Sequence, residues 1–136
     1  MADEAPAERA TAACFVRETL GCGCGEEVFR QLETSRDLRV ADVPVAWRID
    51  VGQRLLVYVL EVSDVSDLEP RLGTLVRFGR AERDARGFNR LRLVVSTENP
   101  AGLSDQARRI VERSGAADER VHLHVLPRAA VPPACA

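Results

Sequence analysis

The sequence predicts an α/β fold in one domain: an N-terminal helical hairpin followed by ββαβαβ, with a four-stranded mixed sheet. From residue 46 onwards, segments with strand-like apolar patterns alternate with segments whose apolar residues recur at helical spacing. Glycines and helix-capping residues separate these segments. A length of 136 residues with 46% hydrophobic residues is enough for one core. We assign residues 1–6 to a disordered tail, 7–127 to the domain and 128–136 to a flexible tail.

The helical hairpin is predicted from two amphipathic segments. The first helix runs from about Pro6 to Leu20 and ends at Gly21, because glycine favours the left-handed conformation of a helix C-cap. The second helix runs from Glu26 to about Glu33, and residues 34–45 are mostly connection. The apolar face of the first helix consists of Ala12, Phe15, Val16, Thr19 and Leu20, with Cys14 roughly opposite.

Two strands and a tight turn follow this connection. Residues 46–51 alternate between apolar and polar, whereas residues 54–62 are apolar on both faces, which is typical of a central strand. The dipeptide Gly52-Gln53 is a plausible turn between them, so the pair reads as an antiparallel hairpin.

The rest of the domain alternates helices with strands. A helix capped near Ser66 runs to about Arg86, and a second one runs from Ser104 to Gly115. Strands are predicted over 90–97 and 121–126. Helices that connect successive strands in this way imply parallel pairing with right-handed crossovers.

Alternation within the strands predicts one covered and one more open sheet face. The covered face would contain Trp47, Ile49, Val51, Leu91, Leu93, Val95, Val121, Leu123 and Val125. The more open face would carry Arg48, Asp50, Arg90, Arg92, His122 and His124.

Composition excludes several classes of function. All 19 basic residues are arginine, so the lysine of a P-loop or of a Schiff base is absent. The net charge of −2 gives no overall attraction to nucleic acid, and no apolar run approaches the length of a membrane span. The N-terminus does not resemble a signal peptide, so we expect no nucleic acid and no membrane partner and a cytoplasmic protein with reduced thiols.

The segment LGCGCGEEVF, residues 20–29, holds two of the four cysteines. Cys24 lies near a predicted helix N-terminus, which lowers a thiol pKa, and Gly23 would let Cys22 and Cys24 form a strained, labile disulfide. The two thiols are therefore redox candidates. The same residues also suit a sharp turn in which cysteine acts as a small apolar side chain.

Metal binding is the third interpretation of these thiols. Cys22 and Cys24 supply half of a tetrahedral zinc or iron–sulfur site, and His122, His124 or Cys135 could complete it. Cys14 is excluded because seven helical residues place it about 10 Å from Gly21.

The segment resembles a pattern, LGCxCPEEVF, found in small bacterial and archaeal proteins. Leu20, Gly21, Cys22, Cys24 and the run Glu26–Phe29 match it, whereas Gly25 stands where the pattern has proline. The resemblance covers about ten residues and implies no known activity.

Polar side chains at the ends of the predicted strands form a further set of candidates. Open α/β sheets bind ligands beyond the carboxyl ends of parallel strands, and such side chains could hold a metal or a polar ligand, although capping and turn roles explain them equally. This set consists of Glu61, Ser63, Asp64, Thr97, Glu98 and Asn99. Asp50 and Glu61 also suggest a nuclease-like acidic pair, with Ser63 in the place of the usual lysine.

The sequence assigns no reaction. Its leading prediction is a small cytosolic protein that acts through thiol redox chemistry or metal binding at Cys22 and Cys24. The alternative is a non-catalytic module that forms a homodimer through the sheet face flanked by Arg92 and His122.

Overall fold

The computed structural model describes residues 6–21 and 30–132, which form a five-stranded mixed sheet with helices on both faces. The strands lie in sequence order across the sheet. The first three are antiparallel to their neighbours, and the third, fourth and fifth are parallel. They are β1 (Leu32–Val40), β2 (Val43–Val51), β3 (Leu55–Glu61), β4 (Arg90–Thr97) and β5 (Val121–Pro127). The α/β class and the mixed sheet are confirmed.

The described helices flank this sheet. They are α1 (Pro6–Cys14), which continues as a π-helical turn (Phe15–Thr19), then α2 (Val65–Arg86), α3 (Pro100–Arg113) and a 3-10 turn (Arg128–Ala130). None of the helices within the described ranges combines the length and hydropathy needed to cross a bilayer.

Both crossover helices begin earlier than predicted. The Asp64 side chain accepts from the Asp67 N–H and caps α2, and the Asn99 side chain caps α3 just before Pro100. Asparagine and aspartate cap as well as serine does, and proline suits the first helical turn, so caps at Asp64 and Asn99 replace those predicted at Ser66 and Ser104.

The prediction of four strands is wrong, because residues 32–40 form a fifth strand. Leu32 and Glu33 belong to β1 and not to the end of a helix, and the rest of the predicted connection continues the strand. The strand is polar because it lies at a sheet edge, where only one face of its first half is buried. A two-residue turn joins it to β2, and Ala41 and Asp42 both have positive φ there, as a tight hairpin requires. Arg30 and Gln31 of the predicted second helix form a turn before β1, and residues 26–29 lie outside the described residues.

Two apolar cores lie on opposite faces of the sheet. One packs β2–β5 against α2 and α3 and contains Leu91, Leu93 and Val95. The other packs the sheet against α1 and the π-helical turn, where the rings of Phe15 and Trp47 stack with centroids 5.4 Å apart. Within the first helical segment, Ala12, Phe15, Val16 and Leu20 are buried as predicted, whereas Thr19 is exposed.

The predicted grouping of the strand faces is wrong for β2. Trp47 pairs with Val59, and Val59 pairs with Val94, so Trp47 shares a face with Val94 and not with Leu93. Face assignment between strands depends on register, and a shift of one residue moves every side chain to the other face. Arg48 consequently points towards α2, where its Nη2 lies 2.7 Å from Glu82 Oε2.

Candidate anion-binding site

Four basic side chains meet on the α1-side face of β4 and β5. Arg90 and Arg92 of β4 alternate with the apolar residues that enter the α2–α3 core, as do His122 and His124 of β5. Parallel pairing places Arg92 directly beside His122 and Val94 beside His124. The strands therefore hold two guanidinium and two imidazole groups in a fixed ladder, the Arg–His ladder.

Each arginine of the ladder forms a hydrogen bond with one histidine. Arg90 Nη1 lies 3.0 Å from His122 Nε2, and Arg92 Nη1 lies 2.9 Å from His124 Nε2. A guanidinium can only donate, so each Nε2 atom accepts, and each neutral ring carries its proton on Nδ1.

Burial and positive charge both keep these rings neutral. Burial, followed by the charge of Arg92, lowers the pKa of His124 to about 4. The pKa of His122 is lowered by the same two causes and by Arg90. The ladder thus carries two fixed positive charges and two uncharged proton acceptors at neutral pH.

Within the part of the chain that the structure describes, neither arginine of the ladder has an ion-pair partner, although the charge of Asp118 opposes the lowering of the His122 pKa. No described carboxylate lies within 4.0 Å of the guanidinium of Arg90 or Arg92. Arg92 is only partly exposed, and its Nε atom is buried without a hydrogen-bond partner. A buried donor without a partner costs roughly 1–3 kcal/mol, and a partly buried cation without an anion adds to that cost. An oxyanion would satisfy both.

The sequence singled out the two histidines for a different chemistry. His122 and His124 are predicted metal co-ligands of Cys22 and Cys24, but the structure pairs both Nε2 atoms with arginine. Among the described residues, no group of three or more potential ligands could hold a metal ion. Cys22, Cys24 and Cys135 lie outside those residues, so the redox, zinc and iron–sulfur hypotheses stay predictions. Cys14 is exposed, as the helical pattern predicts.

The strand pattern places Arg90, Arg92, His122 and His124 on one sheet face but does not pair the arginines with the histidines. The sequence does contain a signal for this pairing. It has an R-x-R pattern over 90–92 and an H-x-H pattern over 122–124, on two strands that are consecutive in the chain and predicted to be parallel. Only the register, which sets Arg92 against His122, establishes that they meet.

The residues predicted at the strand ends mostly cap and connect. Asp64 and Asn99 are the helix caps, and the Asn99 N–H donates to Thr97 Oγ1 at 3.3 Å. Glu61 and Asp37 line two neighbouring cavities of about 340 and 320 Å³ at this edge of the sheet. Ser63 and Glu98 are exposed.

The nuclease-like interpretation of Asp50 and Glu61 is wrong. Asp50 pairs with Leu56, five positions before Glu61 on β3, so the two carboxylates lie about 17 Å apart along the strand. Asp50 instead accepts a hydrogen bond of 2.8 Å from the Gln53 N–H and shapes the β2–β3 turn.

Comparisons with known proteins add no function to this geometry. A scan against protein-family models finds no match to the chain, and a search of curated proteins finds none either.

Proposed function

We propose that this protein is a binding module for a small oxyanion, a ligand with a phosphate or carboxylate group, and that the Arg–His ladder is its site. One observation carries the proposal: the guanidinium of Arg92 is partly buried, its Nε atom has no partner, and no described carboxylate is paired with it. Arg90 supplies a second guanidinium on the same sheet face, and His122 and His124 each accept a hydrogen bond from one of the two arginines.

The energetic cost of removing a cation from water supports this proposal. A buried guanidinium is normally paired, because removal from water costs several kcal/mol unless an anion compensates. Arginine is also suited to this task, since its planar fork matches the two oxygens of a carboxylate or phosphate. The strands fix the ladder before a ligand arrives, so little side-chain entropy would be lost on binding.

Proton uptake should accompany binding. An anion beside the ladder favours the charged imidazolium, so it raises the pKa of His122 and His124 above the values in the free protein. A complex that holds more protons than the free protein is favoured by acid. We therefore expect anion affinity to rise as the pH falls from 7 towards 5.

The chain offers a direct readout, because its only two histidines are in the ladder. Imidazole NMR signals followed against pH, with and without inorganic phosphate or acetate, report on this site alone. We expect either probe to raise both histidine pKa values. Two unchanged titration curves at saturating probe concentration would contradict the proposal.

A matched pair of variants separates the site from general positive charge. Arg92→Gln should weaken phosphate binding by at least about tenfold, because one charge-assisted hydrogen bond contributes roughly 1.5–3 kcal/mol. Arg109→Gln removes an exposed arginine of α3 and should leave phosphate binding unchanged. Equal losses in the two variants would show that binding depends on net charge and not on the ladder.

A further inference from the structure

The two edges of the sheet differ in how they are protected. The outer strand β1 carries charged side chains throughout its length, and Asp37 interrupts it with a φ of +52°. Charges and local distortions of this kind prevent edge strands from pairing with other chains. The charged residues of β1 are Glu33, Arg36, Asp37 and Arg39.

The opposite edge has none of these devices. Residues 121–126 of β5 read VHLHVL, with no Asp, Glu, Lys or Arg, and the lowered pKa values keep both histidines neutral at pH 7. All six residues are partly exposed, and no described strand pairs with the outer side of β5. An unprotected edge is a template for a further strand.

Backbone direction along β5 follows from its pairing with β4. The Leu91 N–H donates to the carbonyl oxygen of Arg120 at 2.9 Å, so Arg120 faces β4. Backbone groups alternate in direction along a strand, and residues 122, 124 and 126 therefore also face β4. Leu123 and Val125 direct their N–H and C=O groups to the open edge, as Val121 does its C=O group, whereas the Val121 N–H donates to the carbonyl oxygen of Asp118 at 3.2 Å.

We propose that this edge pairs antiparallel with β5 of a second copy of the chain, which would join two sheets into one of ten strands. With Leu123 opposite its own copy, Val121 lies opposite Val125. The Leu123 and Val125 N–H groups of each strand then donate to Leu123 and Val121 of the other copy, which supplies about four backbone hydrogen bonds. The same register sets His122 opposite His124, and neither is charged at pH 7.

The choice of a second copy follows from this self-complementarity. A shift by one residue would set apolar side chains against histidines, because side chains alternate between the faces. A shift by two residues towards the carboxyl end would bring Pro127, which has no N–H, opposite Val121. The contact is smaller than a standard interface, so we expect dimerisation that depends on concentration. This pairing involves the strand edge alone and does not depend on the proposed anion binding.

The test is the mass of the full chain in solution. Sedimentation velocity from about 10 μM to about 1 mM should show conversion from monomer to dimer. Leu123→Pro removes an outward N–H that β4 does not use, and it should remain monomeric over this range. Leu123→Ala keeps the N–H and should still dimerise. A wild-type chain that stays monomeric at about 1 mM, or a Leu123→Pro variant that still dimerises, would overturn the proposal.

A charge exchange tests the register even if Leu123→Pro fails to fold. Val125→Arg alone should weaken the dimer at least about tenfold, and adding Val121→Asp in the same chain should restore it, because the two positions face each other across the interface. Failure of the second substitution to restore association would overturn this register. A monomeric variant should still bind phosphate, so failure of the dimer and failure of the anion site are separate results. Association with a different protein in place of a second copy would also contradict the proposal.

Discussion

Arg83 and Arg92 show two environments for an arginine that is shielded from water: Arg83 is buried, and Arg92 is partly exposed. Arg83 is 1% exposed, and its Nη1 and Nη2 atoms lie 2.9 and 2.7 Å from the two carboxylate oxygens of Asp118. Its Nε and Nη2 atoms also donate to Asp84. The hydrogen bonds from Arg83 hold the pKa of Asp118 well below its usual range. Arg83 therefore joins α2 to the loop before β5, whereas His124 is the side-chain partner of Arg92 among the described residues.

Removing one partner of the Arg83–Asp118 pair should cost more stability than removing the other. Asp118→Asn leaves a buried cation with only Asp84 beside it and should lower the free energy of unfolding by about 3 kcal/mol. Arg83→Met should cost less, because it removes the buried charge and the remaining Asp118 side chain is 26% exposed. Urea denaturation measures both values.

Asp105→Asn provides the control for this comparison. It breaks an exposed ion pair with Arg108 on α3 and should change stability by less than about 0.5 kcal/mol. Equal decreases in the free energy of unfolding for Asp118→Asn and Arg83→Met would contradict the predicted difference between them.

At the scale of elements, buried strands were the easiest to predict. The strand predicted over 90–97 is β4 itself, the one predicted over 54–62 extends one residue beyond β3 at each end, and the one predicted over 121–126 is one residue shorter than β5. β3 is apolar on both faces because it lies inside the sheet, where both of its faces are covered. β1 was missed because an edge strand with one half-buried face needs few apolar residues, and its sequence resembles that of a loop.

Two glycines of α2 give a matched prediction. A Cβ atom at Gly73 would meet its nearest neighbours, Arg77 Nη1 and Ile110 Cγ2, at 3.8 Å, so Gly73→Ala should stabilise the protein by up to about 1 kcal/mol through helix propensity. A Cβ atom at Gly79 would approach Leu91 Cδ2 to 2.9 Å, where α2 crosses β4. Gly79→Ala should therefore give no gain or a loss.

Thermal unfolding of the two variants, each compared with wild type, measures these effects. A Gly79→Ala variant more stable than Gly73→Ala would show that the α2–β4 contact is looser than the structure indicates.

For the whole molecule, both cores depend on the central strands of one sheet. β3 is buried on both faces, and it packs towards α2 and α3 with one set of side chains and towards α1 with the other. The Arg–His ladder lies on the α1-side face of β4 and β5, which is why its groups are only partly shielded from water.

This arrangement predicts acid destabilisation in two stages. The folded-state pKa of His124 is about 4, against an ordinary value of 6.5, so the unfolded chain binds more protons between these values. Stability should therefore fall as the pH drops from 6.5 to about 4. Asp118, whose pKa is lowered by Arg83, adds a further loss as the pH falls below the ordinary value of 3.8.

Urea denaturation across this pH range separates the two stages. His122→Gln/His124→Gln should flatten the dependence between pH 6.5 and 4 and keep the loss at lower pH. If the free energy of unfolding of the double variant still fell as steeply between pH 6.5 and 4, titratable groups other than the two histidines would cause the first stage.

The sequence by itself determined the α/β class, the buried strands and the two crossovers, because apolar periodicity and helix-ending glycines are local properties of the chain. It also supplied both histidines as candidate site residues. Only the tertiary structure decided which face each strand presents, that Asp50 and Glu61 lie far apart, and that the histidines meet arginines. These features depend on the register between strands that are distant in sequence. A shift of one residue in that register would move every side chain of a strand to the other face of the sheet, although the sequence pattern of the strand would be the same.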